Sequence, residues 1–141
     1  MKRRTTWIVG GLLALFVAIQ FVPINTTNPP VEADLNAPTE VKAILERSCY
    51  DCHSNQTRWP WYSRVAPVSW LMAHDVTEGR EHINFSEWHR LRTKDQVEAM
   101  EEMWEEVKEG EMPLWFYLPM HPEARISQAD RAVLQSWAEG S

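Results

Sequence analysis

A chain of 141 residues with a formal net charge of −6 has room for one small domain and little besides. Three of its basic residues cluster at positions 2–4, so the remainder is more acidic than the whole. That balance excludes nucleic acid as a partner, because phosphate binding needs a basic face.

Residues 7–22 read WIVGGLLALFVAIQFV, with Gln20 the single polar interruption. Basic residues ahead of such a run mark a signal or a signal-anchor. No A-x-A-like cleavage site follows in FVPINTTNPP, which favours an uncleaved anchor. The expectation is one transmembrane helix within residues 1–24, its basic end in the cytoplasm and everything after Pro23 exported. Residues 25–38, NTTNPPVEADLNAP, are polar and proline-rich and read as an extended linker. Residues 39–141 form the domain proper.

In that domain the apolar spacing is helical throughout. Val41, Ile44, Leu45 and Ser48 recur at steps of three and four, which predicts a helix from Thr39 into the sequence CYDCH. An aromatic loop, NQTRWPWYSRVAP, follows over 55–67. Pro67 can occupy the first turn of a second helix, VSWLMAHDV, and Ser86 can cap a short one, SEWHRL. Thr93 and Gln96 make a capping-box pattern. They open a third substantial helix with Val97, Met100, Met103, Trp104 and Val107 on one face, ended by Gly110. Three prolines in EMPLWFYLPMHPEAR forbid a continuous helix over 111–125. Ser127 caps a last helix with Ala129, Ala132, Val133, Ser136 and Trp137 on one side. No alternating strand pattern is present, so the fold class is all-α. Roughly 100 residues of short helices and loops make a modest core, and a large apolar ligand would supply buried surface.

The chemistry concentrates in Cys49-Tyr50-Asp51-Cys52-His53, which holds both cysteines of the chain. Positions i, i+3 and i+4 share one face of a helix. Two thiols so placed can add across the two vinyl groups of a porphyrin while the imidazole reaches the iron, and C-x-x-C-H is the c-type haem attachment pattern. Other chemistries compete. A redox dithiol expects a βαβ setting. A structural zinc site wants four ligands, and no second cysteine pair or H-x₃₋₅-H exists to complete one. A disulfide between Cys49 and Cys52 would close too small a loop to stabilise much.

The N-terminal anchor, TNPPV, EVKAILERSCYDCHSNQTRWPWYSRVAPVSWL, EGREHINFSEW and EGEMPLWFYLPMHPEARIS together resemble the membrane-anchored bacterial haem-binding domain family of the c-type cytochrome group, over nearly the whole chain from Thr27. The resemblance implies a small cytochrome c-like helical domain. It implies one covalent haem c per chain and a single-pass location at the bacterial inner membrane with a periplasmic domain. Such cytochromes keep their distal loop before the last helix, which here offers Met112, with Met120 and His121 as alternative iron ligands opposite His53. Met112 precedes Pro113, which takes it out of the helix. Met72, Met100 and Met103 lie at helical spacing and read as core. His53 needs an acceptor for its other ring nitrogen, such as the Pro67 carbonyl. Seven glutamates over 98–111 read first as a solvated face and second as a docking patch for a basic redox partner. The functions in competition are an electron carrier, a haem-based sensor, and a thiol oxidoreductase working through Cys49 and Cys52. No nucleophile–base set marks an independent active site, so the expectation is a carrier rather than an enzyme.

Overall fold

The computed structural model describes residues 2–140. Its α-helices, in chain order, are α1 Lys2–Ile19, α2 Thr39–Ser48, α3 Tyr50–His53, α4 Val68–His82, α5 Thr93–Glu109 and α6 Gln128–Glu139. Short 3₁₀ turns at Trp61–Arg64, Trp88–Arg90 and Pro122–Ala124 punctuate the loops. Among the described residues there is no strand, and extended pairing is confined to a bridge between Ala33 and Glu87. The all-helical reading therefore holds.

The expected transmembrane helix does not. α1 forms, but among the described residues no helix is long and apolar enough to cross a membrane. The reason is arithmetic. Eighteen residues rise about 27 Å, and the first three are basic, leaving about 22 Å against a hydrocarbon core of about 30 Å. Beyond Ile19 the chain turns, and the Gln20 side chain grips the domain. Its amide oxygen accepts the Ala66 N–H at 2.9 Å and its Nε2 donates to the Ala66 carbonyl at 3.2 Å. The single-pass inner-membrane location, and the periplasmic orientation that followed from it, fall with the span.

Residues 25–38 lie against the helical unit instead of hanging between two parts. Leu35 is 4 % exposed and belongs to the core. Its N–H donates to the Phe85 carbonyl at 2.8 Å. Asp34 accepts from the Tyr50 hydroxyl at 3.0 Å and pairs with Lys42. The N–H groups of Glu32 and Ala33 also donate to the Ser86 carbonyl, at 3.0 Å and 3.1 Å.

The core joins Leu35, Val41, Ile44, Leu45, Tyr50, Phe85, Val107 and Leu134. α2 turns its predicted face inward, and α5 does the same with Met100 and Val107. On α6 the inward face is shifted. Val133 and Trp137 of the expected face pack against the core, but the buried positions are Leu134 and Ala138, and Ala129, Ala132 and Ser136 are exposed. Ser127 caps α6 with a full capping box, its hydroxyl accepting the Asp130 N–H at 3.2 Å. At Thr93 no such box forms. Thr93 is already helical, and the Gln96 amide donates to the carbonyls of Trp88 and Leu91. Gly110 ends α5 at φ 83°, a left-handed conformation that a side chain resists.

α4 packs on α3 through Gly79. A Cβ built there would lie 2.8 Å from the Cys52 carbonyl oxygen, which is backbone and cannot swing aside. Gly79→Ala is therefore expected to cost about 1–3 kcal/mol in urea unfolding. Gly10→Ala, with nothing within 4 Å, should be neutral or slightly stabilising through helix propensity.

Candidate functional site

The sequence CYDCH was expected to continue α2. In the structure α2 stops at Ser48, and Cys49, at φ −127° and ψ −33°, separates it from the single turn of α3. The turn survives the break. The Cys49 carbonyl accepts the N–H of Cys52 at 3.1 Å and that of His53 at 2.9 Å, so both thiols and the imidazole ride on one hydrogen-bonded turn.

Residues 83–85 fix the far end of this turn. The Phe85 N–H donates to the His53 carbonyl at 2.8 Å, and His53 Nδ1 lies 3.3 Å from the Ile83 carbonyl. A carbonyl only accepts, so Nδ1 carries the proton and Nε2 keeps its lone pair free. The orienting carbonyl is thus that of Ile83, not that of Pro67. Burial holds the imidazole below its ordinary pKa, with the backbone acceptors opposing in part. The neutral ring this favours is the form that ligates a metal.

Cys49 and Cys52 are free thiols, each pushed up to about 12. Burial is the main cause for both. The neighbouring Cys52 adds to it at Cys49, and the carboxylates of Asp75 and Asp51 add to it at Cys52. A thiol oxidoreductase needs the opposite, a thiolate stabilised near neutral pH. Among the described residues no group of three or more His, Cys, Asp or Glu side chains could hold a metal ion, so the zinc reading gains nothing.

Met112 is half-buried and packs against the same core cluster as Cys49. Its N–H donates to the Glu106 carbonyl at 3.2 Å, just past the end of α5. Met120 is exposed. His121 is engaged at both ring nitrogens, Nε2 by the Tyr62 hydroxyl and Nδ1 by Glu123 at 3.2 Å. Its ring also stacks on Tyr117, centroids 3.9 Å apart.

Two residues that shape the site were not singled out from sequence. Gly79 gives α4 its close approach, and its signal was a glycine inside a helical pattern. Asp51, in the variable part of the motif, is 9 % exposed and accepts from the Tyr117 hydroxyl at 2.8 Å and the Arg58 N–H at 2.9 Å. Spacing alone gave no hint of that inward role.

The residues suit a haem on this turn. The donor set is two thiols that can each form a thioether and one imidazole with a free Nε2. Apolar surface is left uncovered on α4 at Val68, Trp70 and Leu71 and on the loop after α5 at Trp115, Phe116 and Met120. Side chains of that kind are ordinarily buried.

The raised thiol pKa values have a measurable consequence in the haem-free chain. Unfolded thiols ionise near 9.0, whereas the folded ones keep their protons to about 12. The folded state therefore binds more protons between those values, and stability should fall as pH rises from about 9 towards 12. Urea midpoints should show the fall, and Cys49→Ser with Cys52→Ser should reduce it. Iodoacetamide should also label the folded thiols far more slowly than the urea-unfolded ones at pH 8.

Neither the curated proteins nor the solved structures contain a match to this chain. Comparison with protein families does, matching the family described as haem-binding domain over residues 14–140. The match begins inside α1 and runs through the CYDCH turn, the Met112 loop and α6. The chain belongs to the haem-binding domain family, and haem is its cofactor.

Proposed function

We propose that the chain is a monohaem c-type cytochrome that carries electrons, with haem bound covalently through Cys49 and Cys52. The observation that carries this reading is the single turn from Cys49 to His53, with both thiols and an Nδ1-anchored imidazole on it. Each thiol can add across a vinyl group, forming one C–S bond and passing its hydrogen to the adjacent vinyl carbon, with no net oxidation or reduction. Bound there, the haem supplies one-electron cycling of its iron.

The chain's own residues do the rest. His53 offers Nε2 as the proximal ligand, held by the Ile83 carbonyl. Met112 would supply the second iron ligand, a thioether on a proline-held loop beside the core. His121 is the weaker alternative because Tyr62 and Glu123 already use its nitrogens. A filled pair of axial positions suits a carrier, since a fixed ligand set keeps reorganisation small, and Met/His ligation raises the potential. The partner implied is a second redox protein, and the chain itself performs no chemistry on a substrate.

Absorption spectra with and without reductant test the assignment. The oxidised wild type should be low-spin with a weak sulfur-to-iron band in the far red. Met112→Ala should abolish that band, lower the reduction potential and admit carbon monoxide, while His121→Ala should keep the band. A wild type that lacks the band and binds carbon monoxide at once would support a sensor and count against the carrier.

A further inference from the structure

We propose that Tyr117 and Asp51 form a latch that holds the Met112 loop against the haem-attachment turn and so sets how readily the distal iron position opens to outside ligands. The proposal rests on the haem reading above and adds positioning residues to it.

The loop begins where Gly110 turns the chain out of α5, and Met112 is still tied there through the Glu106 carbonyl. Beyond it the backbone holds itself by local turns. The Tyr117 N–H donates to the Leu114 carbonyl at 3.0 Å and the Met120 N–H to the Tyr117 carbonyl at 3.2 Å. Trp115 at the tip is 80 % exposed, so burial does little to hold the loop down there. Side-chain hydrogen bonds tie it to the domain at Tyr117 and at His121.

The tie at Tyr117 reaches the attachment turn itself. Asp51 lies between the two thiols in the chain, and the Tyr117 hydroxyl donates to its Oδ2 at 2.8 Å. The other oxygen, Oδ1, accepts the Arg58 N–H at 2.9 Å. The Asp51 backbone is held as well, its carbonyl accepting from the Thr57 hydroxyl at 2.7 Å. The post of the latch is therefore rigid and continuous with Cys52. A hydrogen bond to a carboxylate shielded from water is among the stronger kinds, and losing it leaves a buried charge short of a donor. The Tyr117 ring also stacks flat on His121, at 6° between planes.

Met112 and Tyr117 are five positions apart, a reach of at most about 18 Å, so freeing the hydroxyl gives the thioether room to leave. Tyr117→Phe removes that hydroxyl and keeps the ring. In haem-loaded full-length protein, Tyr117→Phe should raise the rate of carbon monoxide binding to the reduced form roughly 10-fold or more. It should also lower the temperature at which the far-red sulfur band disappears, with helical circular dichroism unchanged. Asp51→Asn, which keeps the shape and loses the charge, should move both readouts the same way. A role in packing alone predicts no change in either readout for Tyr117→Phe. If wild type shows the band and Tyr117→Phe binds carbon monoxide at the wild-type rate, the latch is wrong and the carrier reading stands. If haem-loaded wild type has no such band, the Met112 assignment fails and the latch fails with it. Should Asp51→Asn not accept haem, Tyr117→Phe still decides the question.

Discussion

The carbonyl of Cys49 accepts two N–H groups at once, from Cys52 and His53, and the site depends on that pair of bonds. They close one helical turn after α2 has ended, placing two sulfurs and one imidazole at fixed separations. A free-standing turn of this length would not persist, because nucleating a helix fixes several dihedral angles for little return. It persists here because the rest of the fold clamps it. Phe85 holds its C-terminal carbonyl, Ile83 holds its imidazole and α4 lies across it at Gly79.

The clamp also explains the form of the core. Phe85 is 1 % exposed and stacks on Tyr50 at 5.1 Å, so the strap that orients His53 is itself anchored by apolar burial. Arg80, one residue past Gly79, donates to the Ser54 carbonyl at 2.8 Å and to Asn28 at 2.9 Å. In that way one side chain joins α4, the end of the Cys49–His53 turn and the segment before α2. Residues 25–38 are thereby part of the site's support. What the fold leaves uncovered is aromatic and aliphatic surface on α4 and on the loop after α5, which gives a haem something to bury.

Local chemistry was legible in the sequence and long-range geometry was not. The faces of α2 and α5 could be read from spacing, because a stripe of large apolar residues leaves one inward solution. α6 carries small and mixed residues on several sides, and the pattern found Val133 and Trp137, which pack on the core, but missed Leu134, the buried anchor. The C-x-x-C-H spacing singled out Cys49, Cys52 and His53, and the structure keeps the three on one hydrogen-bonded turn. The acceptor for His53 is the Ile83 carbonyl, 30 residues away, and spacing could not single it out from a loop carbonyl such as that of Pro67. Asp51 and Gly79 act through contacts that no spacing rule encodes. The N-terminal run read as a span because its apolar stretch was counted through residue 22, whereas the helix ends at Ile19 and begins on charge. The linker reading of 25–38 weighed proline content and overlooked one buried leucine.

The central claim is that Cys49 and Cys52 hold haem by covalent bonds. Intact mass under denaturing conditions tests it most directly, on full-length protein produced in a host that matures c-type cytochromes. The account predicts the polypeptide mass plus one haem, with neither cysteine open to alkylation. A bare polypeptide mass with two alkylatable thiols would contradict it.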